Sequence, residues 1–288
     1  MGRRAAAVSH GAVTVINAIA SGIGSAIGID LWTRAEVEIL PEKKILASIP
    51  GHETADTTLI KNCVRKVFEK HKITDLGAKV TTQSNIPICK GLKSSSAAAN
   101  AVTLATIKAL DLKASDIEIV KIGVEAALDS KVTITGAFDD ASASYFGGLV
   151  LTDNVNRRLL LRRHFDEKMK AVILIPRMRR PTRTTETLTR TRLLNKLITP
   201  LTELVKSGSP ELAMSLNGFL YGACYNSPIK LIFKALEAGA AGASVSGTGP
   251  AIAALIDEGK VDELRKSWSG VEGEIRVADI NNRKASVV

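Results

Sequence analysis

Three consecutive serines follow a glycine turn and lead into a run of small residues, a pattern suited to binding phosphate. The segment reads Pro87-Ile88-Cys89-Lys90-Gly91-Leu92-Lys93-Ser94-Ser95-Ser96-Ala97. A helix that begins at the serines would present free backbone N–H groups and the positive end of its dipole to an anion, and serine hydroxyls can bond phosphate oxygens or Mg²⁺. A simple helix cap needs only one serine and no small residues behind it, so the sequence favours a phosphate site.

A second glycine turn lies much later in the chain and reads Ser246-Gly247-Thr248-Gly249-Pro250. Its glycines would let the backbone approach a ligand closely, and we expect the turn between a strand at 242–245 and a helical segment. Taken alone, this pattern is better explained as a tight structural turn. Neither segment is a Walker A loop, because G-x-x-x-x-G-K-[ST] occurs nowhere in the sequence.

Two adjacent carboxylates, Asp139 and Asp140, follow Gly136 in a segment that we expect to be a turn. They could hold Mg²⁺, or one could accept the proton of a substrate hydroxyl, although aspartates in turns more often cap the local backbone. Because neighbouring side chains point in different directions there, only one of the two can face an acceptor. Glu125, on the preceding predicted helix, is a possible third carboxylate, but a glutamate there faces solvent by default.

The order of these segments resembles that of the GHMP kinases over about residues 9–255. The family pattern combines an N-terminal glycine turn, here 21–24, with P-x-x-x-G-L-x-S-S-[SA]-A, then G-x-x-D-[DNQ], then S-G-T-G-P. Within the family, residues 91–97, 136–141 and 144–148 look most similar to the archaeal shikimate kinases. The resemblance implies ATP-dependent phosphorylation of shikimate to shikimate 3-phosphate, a step of chorismate and aromatic amino acid biosynthesis.

The resemblance also implies roles for individual residues. Residues 87–97 would wrap the triphosphate of ATP, and residues 246–250 would close the phosphate and substrate site. Ser95 and Glu125 would hold Mg²⁺. Asp139 would be the base for the acceptor hydroxyl.

Two positions leave these roles open. Asp139 fits the G-x-x-D pattern, whereas counting backward from Gly147-Gly148 selects Asp140 in some relatives. Lys93 replaces the commoner glycine of G-L-G-S-S, and its side chain either adds positive charge near the phosphates or points to solvent.

The positive charge of the chain is concentrated in one segment. The net charge is +10, and between Arg157 and Arg192 twelve Lys and Arg residues face only three acidic ones. Such a segment could hold phosphate, a carboxylate-bearing small molecule or RNA, or could be a solvated surface. Phe165 is its only aromatic residue, which disfavours RNA binding by base stacking. A substrate carboxylate is best held by a bidentate arginine, and the candidates are Arg177, Arg179, Arg180 and Arg183.

The elements that must position these residues alternate between helices and strands. Apolar periodicity predicts strands at 12–20, 35–40, 79–84, 149–151, 170–175, 242–245 and 274–277. It predicts helices at 57–71, 94–112, 114–130, 192–206, 211–225 and 227–238. This order predicts an α+β protein in two layers. The resemblance implies an ATP-binding domain at 1–165 like domain 2 of ribosomal protein S5, and a ferredoxin-like domain at 166–288.

Composition limits the setting of the protein. Its 288 residues are 45% hydrophobic and 24% charged, as in a chain that buries a core. Its cysteines, Cys63, Cys89 and Cys224, are too far apart in sequence for a zinc site, which favours a reduced, cytoplasmic protein. No apolar run approaches the roughly 20 residues that span a membrane.

The first residues imitate a signal peptide, but polar residues interrupt the apolar run at His10, Thr14 and Asn17.

The expected partner is a small-molecule substrate, and neither a membrane nor a nucleic acid. The oligomeric state stays open. Two other functions also remain open: a family kinase of the homoserine or isoprenoid type, and a basic RNA-binding protein with an S5-like domain.

Overall fold

The computed structural model of the chain describes residues 3–133, 135–177 and 185–288. The strands in these ranges are β1 (Arg4–Ile16), β2 (Ile23–Leu40), β3 (Ile45–Ser48), β4 (Gly77–Ser84), β5 (Leu149–Asp153), β6 (Arg158–Arg163), β7 (Met169–Pro176), β8 (Gly242–Val245), β9 (Ile252–Asp257), β10 (Gly273–Asp279) and β11 (Ser286–Val287). The helices are α1 (Thr58–Lys70), α2 (Ser94–Ala109), α3 (Asp116–Asp129), α4 (Phe138–Phe146), α5 (Thr185–Leu193), α6 (Asn195–Ile198), α7 (Leu201–Ser207), α8 (Pro210–Cys224), α9 (Ile229–Glu237) and α10 (Val261–Trp268).

The first sheet is built on the long antiparallel pair β1 and β2. Its strand order is β11-β1-β2-β4-β3, and β5 joins β2 and carries β6. From Asp30 to Leu40, buried residues of β2 alternate with more exposed ones, as expected for a sheet with one face on a core. Helices α1 to α4 supply the other side of this core.

Helix α2 lies centrally in that layer, in contact with β1, β2, α1 and α3. Its small residues allow this close packing: a Cβ added at Gly123 of α3 would lie only 3.3 Å from the Ala99 Cβ. The alanine-rich sequence thus explains how the helix can be buried on most sides. The three serines form the first turn of this helix.

The second sheet has the strand order β10-β7-β9-β8, and every pair in it is antiparallel. Helices α5 to α9 connect β7 to β8, and α10 connects β9 to β10. This succession of strands and helices is the ferredoxin-like arrangement. The predicted two-layer α+β class, with a ferredoxin-like C-terminal part, is therefore confirmed.

The two sheets share a hydrophobic core. Val13 and Ile16 of β1 belong to the same buried cluster as Ile173 of β7, Tyr221 of α8 and Val245 of β8. The predicted boundary near residue 165 lies between β6 and β7, where the chain passes from one sheet to the other. Strand β11 then returns to the first sheet, and the division into 1–165 and 166–288 stays a prediction.

Several predicted elements have other bounds in the structure, and three local predictions differ in the type or continuity of the element. The helix predicted at 192–206 is divided among α5, α6 and α7, and Pro200, which has no N–H to donate, lies directly before α7. Asp139 and Asp140 lie in the first turn of α4, where the helix dipole favours acidic side chains, and not in a turn. The glycine turn at 246–250 joins strands β8 and β9, whereas we expected a helical segment after it. That prediction was wrong because an apolar run such as β9 does not distinguish a strand from a helix.

Among the described residues, every helix is too short or too polar to cross a membrane.

Candidate active site

A cavity of about 440 Å³ opens where the N-termini of α2 and α4 meet the end of β1 and the turn between β8 and β9. Residues of all three sequence segments line it, among them Ser95, Asp139 and Gly247. The structure thus brings together groups that are about 150 residues apart in the chain. Their convergence on one cavity is the main reason to treat it as the active site.

The serines occupy the first turn of α2 and line the cavity. The residue that caps this helix, Lys93, makes no side-chain capping bond, and the first N–H groups of any helix lack partners within it. Cys89 and Gly91 also line the cavity, whereas Leu92 and Ala97 are buried in the core behind it. The remaining predicted residues, Pro87, Ile88 and Lys90, belong to the same loop and do not line the cavity. The arrangement suits an anion placed at the helix terminus.

The second glycine turn packs directly on the serine segment. The Ser246 hydroxyl donates to the Gly91 carbonyl oxygen at 2.8 Å, and a Cβ added at Gly91 would overlap the Ser246 carbonyl oxygen. Gly91 also has a φ of +89°, so glycine is required there for both reasons. Gly247 and Thr248 reach the cavity, while Gly249 and Pro250 lie outside its lining.

Asp139 is buried, and both its carboxylate and its backbone N–H are hydrogen-bonded. Its Oδ1 accepts a hydrogen bond from Asn154 Nδ2 at 2.7 Å, and its backbone N–H donates to Asn154 Oδ1 at 3.0 Å. A Cβ added at Gly24 would overlap the other carboxylate oxygen, so that oxygen packs against the β2 backbone. Burial, followed by repulsion from Asp140, raises the pKa of Asp139 to about 6.

Asp140 is more accessible and is paired with a lysine. The Lys93 ammonium lies 2.7 Å from Asp140 Oδ1 and donates to the Thr14 hydroxyl at 2.7 Å. The Lys93 side chain is only 3% exposed, compared with 23% for Asp140. Of the two orientations considered for Lys93, the structure therefore shows the one that adds charge to the cavity.

The two residues suggested for Mg²⁺ are not on the same surface. Ser95 lines the cavity, whereas Glu125 lies outside the lining and pairs with Arg157 at 2.9 Å. Within the described ranges, no group of three or more His, Cys, Asp and Glu side chains could hold a metal ion. Mg²⁺ commonly takes one or two carboxylates with substrate phosphates and water, and Ser95 with Asp139 and Asp140 supplies such oxygen donors. The cavity therefore fits a metal that arrives with a nucleotide.

The basic segment is dispersed over several surfaces. Arg177 is exposed, pairs with Glu272 at 2.8 Å and does not line the cavity. Arg162 donates to two backbone carbonyls, and Lys170 pairs with Asp279 of β10 and with Glu258, which directly follows β9. Arg179, Arg180 and Arg183 lie outside the described residues.

Several residues at the cavity were not identified as functional from the sequence. Thr14 accepts a hydrogen bond from the Gly247 N–H at 2.8 Å, and Asn17 donates to the Gly247 carbonyl oxygen at 2.9 Å. The sequence contained a signal for both residues, because they are polar and lie in an otherwise apolar segment. Asn154 had no such signal, since asparagine is common in turns.

Comparison with known proteins agrees with this geometry. Residues 58–148 match the family model "GHMP kinases N terminal domain", and residues 202–271 match "GHMP kinases C terminal". A homoserine kinase from Cytophaga hutchinsonii has a similar structure, with a TM-score of 0.77 at 18% identity over 100% of this chain and 98% of that one. The Methanococcus jannaschii mevalonate kinase gives 0.76 at 18% identity over 98% of each chain. These likenesses confirm the predicted fold.

Closer relatives match almost the whole chain. A shikimate kinase from Methanothrix thermoacetophila is 46% identical over 98% of this chain and 96% of its own length. The shikimate kinase of Methanosarcina acetivorans is 44% identical over 97% and 95%, and that of Pyrococcus furiosus is 43% identical over 90% and 94%. The chain belongs to the GHMP kinase family, in which archaeal shikimate kinases are among its full-length relatives.

Proposed function

We propose that this protein is an ATP-dependent kinase that phosphorylates shikimate to shikimate 3-phosphate. The observation that carries the choice of substrate is the 46% identity, over 98% of the chain, with a protein named shikimate kinase. The cavity supports the reaction class independently of that name. It places a helix N-terminus suited to phosphates beside carboxylates that can accept a proton.

ATP is the phosphoryl donor expected of a kinase in this family. Its triphosphate would lie at the N-terminus of α2, where Ser94, Ser95 and Ser96 line the cavity. Phosphoryl transfer needs positioning and neutralisation of charge more than covalent chemistry, and helix N-termini supply both. Thr248 and Gly247 would close the phosphate site from the opposite side.

Mg²⁺ bound with ATP would neutralise part of the developing phosphate charge. Ser95 is the protein ligand that the family resemblance implies, and like Ser94 and Ser96 it lines the cavity in the first turn of α2. Glu125 would reach the same ion only after leaving Arg157. Asp139 and Asp140 are the alternative carboxylates on the cavity wall.

The acceptor hydroxyl would lie near α4. A base must come within roughly 2.6–3.2 Å of the oxygen that it deprotonates, and both Asp139 and Asp140 line the cavity. The substrate carboxylate would be held by Arg179, Arg180 or Arg183 of the segment after β7, because Arg177 pairs with Glu272 and does not line the cavity. The free cysteines Cys63, Cys89 and Cys224 support the reducing, cytoplasmic setting included in this proposal.

A coupled assay of ADP formation tests the proposal with purified protein, ATP and Mg²⁺. Shikimate, homoserine and mevalonate are compared as acceptors with a reaction that contains none. Of the three acceptors, we expect only shikimate to support ADP formation. Mass spectrometry should then find one phosphate added to shikimate. Turnover with another acceptor would reassign the substrate within the family. Salt-sensitive RNA binding without any ATP turnover would instead support the RNA-binding alternative.

A further inference from the structure

The turn that follows β1, residues 17–20, is held in place by buried side chains of α8. The Tyr221 hydroxyl donates to the Asn17 carbonyl oxygen at 2.8 Å and accepts the Ala20 N–H at 3.0 Å. Asn217 Oδ1 accepts the Asn17 N–H at 2.9 Å. Tyr221 and Asn217 are both fully buried. Because buried polar groups must be paired, these bonds fix the position of the turn relative to α8.

The same turn and the end of α8 present apolar side chains to the cavity. Ala18 and Ile19 of the turn line the cavity, and so does Tyr225, which directly follows α8. The Tyr225 ring packs against that of Tyr221, with the ring centroids 5.7 Å apart. We call Ala18, Ile19 and Tyr225 the apolar wall. Tyr221 lies behind this wall, because it bonds to the turn and contacts Tyr225.

The apolar wall lies near the carboxylates of α4. Gly24 follows the turn by four residues, and a Cβ added there would overlap the Asp139 carboxylate. Burial raises the pKa of the Tyr221 hydroxyl, and the negative charge of Asp139 raises it further, so the two groups are close. The acceptor must lie near these carboxylates if one of them receives its proton. The apolar wall is therefore on the acceptor side of the cavity.

An apolar wall suits the carbon skeleton of an acceptor, while polar groups elsewhere in the cavity orient it. Tyrosine supplies a large, flat ring that packs well against another flat surface. Shikimate is a six-membered carbon ring and offers such a surface, whereas homoserine and mevalonate are open chains. The chemistry of the wall thus favours a ring-shaped acceptor.

We propose that the carbon ring of the acceptor packs on the apolar wall, and that Tyr221 is a positioning residue that holds this wall in place. Tyr221 does not line the cavity, and its hydroxyl is bonded to the turn. It therefore acts through Ala18, Ile19 and Tyr225. The inference rests on the proposed kinase function and adds to it the residues that bind the acceptor's carbon skeleton.

The first test compares Tyr221→Phe with Tyr145→Phe. Tyr145 is the matched control, because it is also a buried tyrosine whose hydroxyl donates to a partner, Asp116 at 2.8 Å. It packs in the core of the first sheet and does not line this cavity.

We expect Tyr221→Phe to raise KM for shikimate about 10-fold and to leave KM for ATP unchanged, because the turn loses a bond that fixes it. Tyr145→Phe should leave both KM values unchanged. A structural role alone would move both KM values of Tyr221→Phe together. That result, or an unchanged KM for shikimate, would overturn the positioning role.

The second test needs no change behind the wall and serves if Tyr221→Phe does not fold. Calorimetric titration measures the Kd of shikimate in the presence of Mg²⁺ and a non-hydrolysable ATP analogue. We expect Tyr225→Ala to raise this Kd about 10- to 100-fold, because the buried ring is lost, and Tyr225→Phe, which keeps the ring, to change it little. An unchanged Kd in Tyr225→Ala, or equal losses in both variants, would overturn packing on the ring.

The acceptor assay keeps the two proposals distinguishable. Absence of shikimate phosphorylation by the wild-type protein would overturn the proposed function, and the same variants would then be compared with the acceptor that is phosphorylated. Wild-type activity with shikimate, combined with normal KM and Kd values in Tyr221→Phe and Tyr225→Ala, would overturn only the role of the apolar wall.

Discussion

At the scale of single residues, burial and pairing give two neighbouring aspartates different surroundings. The sequence places Asp139 and Asp140 side by side, and two family spacings select different members of the pair. It could not show that Asn154, fifteen residues away, binds one of them, or that Lys93 binds the other. Those contacts depend on how α2, α4 and β5 pack together, which residue types and local spacing do not encode.

Asp139 should make the protein less stable as the pH rises. Its pKa is raised from 3.8 to about 6, so between these values the folded protein binds more protons than the unfolded chain. Stability contributed by the neutral form is present below about pH 4 and is lost as the pH rises toward 6. Asp139→Asn should therefore raise the free energy of unfolding by about 1–3 kcal/mol at pH 7.5 and change it little at pH 4. Denaturant titration at both values measures this, and a variant equally destabilised at both would contradict it.

At the scale of elements, the periodic segments could be predicted and the interrupted ones could not. The helices at 58–70 and 116–129 agree with their predicted ranges to within a few residues, because their apolar spacing is regular. Helix α4 has no such clear stripe, since eight of its nine residues are buried. Strand β9 is likewise buried along nearly all its length, which removes the alternation that identifies a strand.

The docking of the serine segment on the second glycine turn gives a prediction at this scale. Gly91→Ala should lower kcat strongly and cost about 1–3 kcal/mol of stability, because its φ is +89° and the new Cβ would overlap the Ser246 carbonyl oxygen. Gly208→Ala is the matched control, since its φ is +95° and no atom lies within 4 Å of the added Cβ. It should cost about 1 kcal/mol and leave kcat unchanged. Chemical denaturation and steady-state kinetics of both variants test this, and equal kcat values would contradict it.

At the scale of the whole molecule, the shared core joins two sheets around one cavity. The order of strands and helices predicted the α+β class, and the resemblance to the GHMP kinases implied the ferredoxin-like part. It predicted the basic segment as one patch, whereas its described cations lie on separate surfaces and bond to different partners. Counting charges along the sequence could not reveal this, because the segment passes from one sheet to the other and residues that are close in sequence lie on different surfaces.

The substrate carboxylate gives a prediction at the same scale. Single Ala variants of Arg177, Arg179, Arg180 and Arg183 should include at least one that raises KM for shikimate more than KM for ATP. Arg177→Ala should not be that variant, because its side chain pairs with Glu272 and does not line the cavity. Steady-state kinetics with each substrate varied in turn would decide this. Four variants with wild-type KM values would place the carboxylate elsewhere.

The central claim is that the cavity at the N-terminus of α2 transfers phosphate from ATP to shikimate. The most direct measurement follows the reaction by ³¹P NMR with wild-type protein and Ser95→Ala in parallel, after thermal unfolding has shown that both are folded. The account predicts a new phosphomonoester signal that grows with ADP in the wild-type reaction and far more slowly with Ser95→Ala, whose hydroxyl ligand for Mg²⁺ or phosphate is missing. Equal rates for the two proteins, or no phosphomonoester with the wild-type protein, would contradict it.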